Sequence, residues 1–103
     1  MSHTVYEVIV YTVKEEILEK FESNLETAHH LMRTFPGFRN LRTLRKPGTP
    51  ATFVDYCEWD SIEQAQDAGK KAMEMPEMKI YFELGEDALV TFGHYENIRY
   101  TER

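Results

Sequence analysis

The sequence predicts one α+β domain with the order strand, helix, strand, strand, helix, strand. Three observations carry that prediction. Four short segments are rich in β-branched and aromatic residues. Two longer segments place apolar residues at helical spacing. Pro, Gly and Ser punctuate the joins between them.

Val5 to Val13 (VYEVIVYTV) has no Gly or Pro and reads as the first strand. Its faces are Val5, Glu7, Ile9, Tyr11, Val13 and Tyr6, Val8, Val10, Thr12, and both are largely apolar. A strand wetted on one side alternates more cleanly, so both faces are expected to be covered. Glu15 to Phe35 switches to helical period, with Ile17, Leu18, Phe21, Leu25, Ala28 and Met32 on one stripe. Glu15 and Glu16 suit the positive end of its dipole, and His29, His30 and Arg33 suit the negative end. Pro36-Gly37 stops it. Phe38 to Lys46 is the second strand, Pro47-Gly48-Thr49-Pro50 the turn, and Thr52 to Trp59 the third strand. Ser61 with Gln64 three residues on fits a capping box opening the second helix. Ile62, Ala65, Ala68/Gly69 and Ala72/Met73 form its small-residue stripe. Pro76 interrupts that pattern, Glu77 to Leu84 reads as a short extra turn of helix, and Gly85 closes it. Ala88 to Tyr95 is the fourth strand, and Glu96 to Arg103 is polar.

This order is the split βαβ, ferredoxin-like arrangement. Right-handed crossovers put both helices on one face of a four-stranded antiparallel sheet. The other face is then an apolar surface without cover from its own chain, which marks an interface. The economical cover is a second copy packed about a two-fold axis, so a homodimer is expected.

Bulk composition narrows the function classes. The chain has 103 residues, enough for one domain. Hydrophobic residues at 42% make it too apolar for disorder. A formal net charge of −6 argues against nucleic acid and anionic membranes as partners. Cys57 is the sole cysteine, which excludes an intrachain disulfide and fits a reducing cytoplasm. No leader pattern is read at the N-terminus, and no apolar run approaches a membrane span. There is no Gly-rich phosphate loop, GxSxG elbow or CxxC pair.

Three stretches, FPGFRNLRTLR, TFVDYCEWDSIEQA and MPEMKIYF, taken in this order and spacing, resemble the antibiotic biosynthesis monooxygenase (ABM) family of dimeric α+β barrels. The resemblance runs from about Val5 to Ile98, and the domain is set at residues 4–98 with a polar tail at 99–103. It implies a homodimer with a cavity between sheet and helices. It also implies cofactor-independent oxygenation of an electron-rich aromatic or quinol-type compound, with no metal or flavin. The same fold also serves non-catalytic ligand binding or purely structural dimerisation, and the sequence leaves these readings open. Many relatives have Glu two residues before the Trp, where this chain has Cys57. Many carry a His on the second helix, where this chain has Gln66-Asp67-Ala68-Gly69. Haem-degrading relatives use an Asn, a Trp and a His, of which only Trp59 is kept, so haem degradation is not expected.

The candidate site follows from residue chemistry. Asp55, Cys57 and Trp59 share one face of the third strand. Trp59 either packs in the core or stacks on a planar ligand. Asp55 inside a sheet needs a partner, or becomes a proton acceptor whose pKa burial raises. Cys57 reads as a small buried hydrophobe, and a nucleophilic role would call on His94. His94 is a structural imidazole or a base near neutral pH. The expected set is therefore His94 and Asp55 as proton acceptors, with Trp59, Cys57 and Tyr11 around the ligand. An Arg of the second strand, Arg42, would steady the anion formed. Adjacent His29 and His30 point about 100° apart and do not make a metal site on one helix.

Overall fold

The computed structural model describes residues 4–49 and 51–103. Its elements are β1 (Val5–Thr12), α1 (Glu15–Met32), β2 (Phe38–Arg45), β3 (Thr52–Trp59), α2 (Ile62–Ala72), a 3₁₀ segment (Pro76–Leu84) and β4 (Leu89–Tyr95). The strands form one antiparallel sheet in the order β2-β3-β1-β4. The fold is the ferredoxin-like α+β arrangement expected. Pro50, part of the predicted turn, lies outside the described residues.

Boundaries move where local chemistry acts. α1 ends at Met32 rather than Phe35. The last turn tightens there, with Thr34 N–H donating to Leu31 O and Phe35 N–H to Met32 O. Pro36 disfavours the helical region at its predecessor, so the helix ends before it. Gly37 follows at φ 86°, and a Cβ there would run into the Gln64 side chain. Only glycine admits both the turn and the close approach of α2. Ser61 caps α2 by accepting from Gln64 N–H at 3.2 Å. Pro76 opens the 3₁₀ segment at its first turn, where its missing N–H costs nothing.

The register fixes which side chains face the helices. Val5, Glu7, Ile9 and Tyr11 of β1 stand opposite Trp59, Cys57, Asp55 and Phe53 of β3. These eight project to the helix side, since Val5, Tyr11, Phe53, Cys57 and Trp59 are core residues packed beneath α1, α2 and the 3₁₀ segment. In α2 the buried side is Ala65, Ala68 and Ala72, whereas Ile62 and, just past the helix end, Met73 are exposed. Two core clusters result. One joins Val5, Cys57 and Trp59 to α2, and the other joins Tyr11, Phe21 and Phe53 to the 3₁₀ segment. On the opposite face, Tyr6, Val8, Val10, Val54 and Tyr56 are covered by no helix, and the Tyr6 and Tyr56 rings meet at 5.7 Å.

Candidate active site

Between the two core clusters lies a cavity of about 850 Å³, within the range of small-molecule sites. Its floor is the helix side of the sheet, and Ala28 and Met32 of α1 help roof it. Lys70 on α2, Met73 just past its end, and Leu89 and Phe92 on β4 are lining residues that are also solvent-exposed, so the mouth lies between those elements. The lining is mostly apolar. Four groups on the floor bring chemistry to it: Glu7, Asp55, Cys57 and His94.

Asp55 sits mid-strand on β3. Its Oδ1 accepts two hydrogen bonds, from Tyr11 Oη at 2.9 Å and from Thr43 Oγ1 at 2.9 Å. Oδ2 has no partner among the described residues, yet it is not sealed off. One oxygen is thus pinned and the other is open to the cavity. Burial pushes the carboxyl up to about 6, although the Thr43 and Tyr11 bonds favour the ionised form and pull the other way. The nearby Glu7 charge adds slightly to the rise. Near neutral pH Asp55 is therefore an ionised carboxylate only weakly stabilised in that form, which is what a proton acceptor requires. Burial, with the Asp55 charge next, raises the pKa of both Tyr11 and Tyr81, so both phenols stay protonated.

Glu7 is the second carboxylate of the floor, and Oε2 lies 2.9 Å from His94 Nε2. Both side chains are only 12% exposed. Glu7 stands opposite Cys57 on β3 and opposite His94 on β4, so the three form a row across the sheet. Burial raises the Glu7 pKa and outweighs the hydrogen bond and charge of His94. The Cys57 thiol is pushed up by burial first and by the Glu7 and Asp55 charges next, so it is a poor nucleophile here. Among the described residues, no three His, Cys, Asp or Glu side chains gather closely enough to hold a metal ion.

The structure brings Tyr11, Asp55, Cys57 and His94 together on the cavity floor. Trp59 shares their face but is fully buried at 0% exposure, packed edge-on against Phe38 outside the cavity lining. Its indole N–H approaches the Glu7 carboxylate without reaching hydrogen-bonding geometry, and is left without a partner among the described residues. Arg42 lies elsewhere. A β-bulge between Phe38 and Asn40 shifts the alternation of β2, so that Leu41 and Thr43 face the helices. Arg42, opposite Tyr56, is turned to the uncovered face. Sequence reasoning passed over Glu7 and Thr43 and weighed His29 only as a helix-end charge and a metal ligand. For Glu7 a signal existed, since it is the one carboxylate on an otherwise apolar strand face.

The profile of the antibiotic biosynthesis monooxygenase family matches residues 4–83, most of the chain. The chain belongs to that family. Solved structures of the same fold include a point mutant of SnoaB, a cofactor-independent oxygenase from Streptomyces nogalater. It is 16% identical with a TM-score of 0.74, over 99% of this chain and 100% of that one. A Bordetella bronchiseptica protein provisionally described as a member of the family is 16% identical with a TM-score of 0.79, over 95% and 100%. MupZ from Pseudomonas fluorescens is 15% identical with a TM-score of 0.75, over 95% of this chain and 71% of that one. At these identities the likeness establishes the fold alone. No curated protein matches the chain in sequence.

Proposed function

We propose that this ABM-family chain is a cofactor-independent monooxygenase acting on a small aromatic or quinol-type compound. One observation carries the reading: a carboxylate with one oxygen pinned, the other open, and a pKa near 6, on the floor of an apolar cavity. Asp55 Oδ2 takes a proton from the bound compound, and the anion formed is electron-rich enough to reduce dioxygen. One oxygen atom enters the ring and the other leaves as water, with the substrate supplying the electrons. The protein contributes position, a proton acceptor and an apolar cavity. His94, bonded to Glu7, stands at the other end of the floor as its second proton acceptor, and Tyr11 and Cys57 shape the floor. Trp59 packs beside the floor, against Phe38 and α2.

The working unit in this reading is a homodimer of domains spanning residues 4–98, closed through the uncovered sheet face into an α+β barrel and working in the cytoplasm. The apolar residues of that face support it, and members of the family are generally dimeric. Arg42 then belongs to the dimer interface rather than to the pocket. Light scattering at micromolar concentration should give twice the chain mass of 12.2 kDa. A monomer would remove this part of the proposal.

The activity is tested by oxygen consumption with a panel of quinols and hydroxylated polycyclic aromatics. Uptake that needs both protein and compound, and is lost in Asp55→Asn, supports the reading. Binding without uptake would point to a ligand-binding module. Neither binding nor uptake across the panel would remove both.

A further inference from the structure

The proton acceptor proposed above is held by a chain of contacts that reaches out of the cavity to α1. Thr43 Oγ1 lies 2.9 Å from Asp55 Oδ1 and 2.8 Å from His29 Nε2. A threonine hydroxyl has one hydrogen to give. An ionised Asp55 can only accept, so that hydrogen goes to Oδ1. The oxygen of Thr43 then faces His29 with a lone pair, and His29 must carry its hydrogen on Nε2. The tautomer follows from the order of donors and acceptors and from nothing else.

The three residues come from three elements: His29 from the last turn of α1, Thr43 from β2 and Asp55 from β3. Tyr11 from β1 supplies the second bond to the same oxygen. A carboxylate held at Oδ1 from two sides cannot rotate to exchange its oxygens without breaking both bonds. We propose that His29 and Thr43 are positioning residues for Asp55. The imidazole donates from Nε2 and fixes the Thr43 hydroxyl on Oδ1, leaving Oδ2 free for the substrate proton. Neither residue touches the cavity contents; both act through Asp55. The inference rests on Asp55 being the proton acceptor of the site.

The other titratable groups facing Asp55 are Glu7 and Tyr11 on β1 and Tyr81 on the 3₁₀ segment, with Cys57 beside it on β3. Glu7 disfavours the charged form, and the Thr43 and Tyr11 hydroxyls favour it. Burial lowers the pKa of His29, which keeps the imidazole neutral near pH 7 and makes its tautomer decisive.

The test is NMR on the whole protein, backed by oxygen uptake. Imidazole 15N shifts of the wild type report the His29 tautomer, and Asp55 carboxyl 13C shifts report its titration. The expected result is the Nε2–H tautomer. Thr43→Val should move the Asp55 midpoint up by roughly one pH unit, the worth of one lost hydrogen bond to a carboxylate. Uptake at pH 6 then falls about fivefold, from the smaller ionised fraction. His29→Leu should move it in the same direction. Thr43→Ser and His29→Gln, which keep a donor in place, should stay near wild type. A His29 in the Nδ1–H form, or an unmoved midpoint in Thr43→Val, would overturn the proposal. The wild-type tautomer measurement decides the matter even if a variant fails to fold. Failure of the underlying reading looks different: Asp55→Asn would keep wild-type uptake whatever the tautomer of His29.

Discussion

Replacing Asp55 with Asn should make the protein more stable and less active at once. The wild-type carboxyl is held at about 6 in the fold against an ordinary value of 3.8. Between about pH 4 and pH 6 the folded carboxyl keeps a proton that the unfolded one has lost. Wild-type stability therefore falls as pH rises through that window, and the full cost is present above it. The displacement corresponds to about 3 kcal/mol. An Asn keeps an oxygen for the Tyr11 and Thr43 hydroxyls and carries no charge to bury. Allowing for the poorer acceptor, a gain of about 2 kcal/mol is expected at pH 7.5, shrinking towards zero near pH 4. For a chain of this length that is a rise in melting temperature of roughly 10 °C. Urea unfolding of both proteins at pH 4.5, 6 and 7.5 measures it, at one protein concentration because self-association would contribute to stability. An Asn variant less stable than wild type at pH 7.5, or a difference independent of pH, would refute the reasoning. A functional carboxylate kept at a cost in stability is the usual trade-off of an active site.

Two further variants extend the account. His94→Ala leaves Glu7 buried without its partner; a loss of about 2 kcal/mol at pH 7.5 is expected by urea unfolding, shrinking towards acid pH because burial raises the Glu7 pKa and favours its neutral form. The same variant should lose turnover or ligand binding while scattering light as the wild-type assembly, and unchanged activity would remove His94 from the site. Gly69→Ala should stabilise by about 0.5–1 kcal/mol in the same assay, because glycine is costly inside a helix and the added Cβ meets no atom within 4 Å. A destabilised Gly69→Ala would mean that α2 sits closer to its surroundings than described.

The fold was legible because the local signals agreed with one another. β3 was read with both its ends in place, since the Pro-Gly turn and the Ser61 cap bracket it on either side. The shared face of Asp55, Cys57 and Trp59 followed from simple alternation. What the sequence left open was which sheet face carries the cavity, because β1 is apolar on both sides. Alternation also failed on β2, where the bulge at Arg39 turns Arg42 outward and Thr43 inward, and nothing in FRNLRTLR announces it. The His29–Thr43–Asp55 chain was out of reach for another reason. It depends on how the end of α1 packs over β2, which is a tertiary fact with no local signature. Glu7 was within reach: a carboxylate on a buried strand face needs a partner, and His94 is that partner.

The most direct test of the central claim is the pH dependence of kcat/KM for oxygen uptake between pH 4.5 and 8.5, with whichever quinol the panel selects. If the open oxygen of Asp55 takes the substrate proton, activity should rise tenfold per pH unit on the acid side and level off above about pH 6, where the carboxylate is ionised. A flat profile across that range, or an acid limb near the ordinary carboxylate value of 3.8, would contradict it.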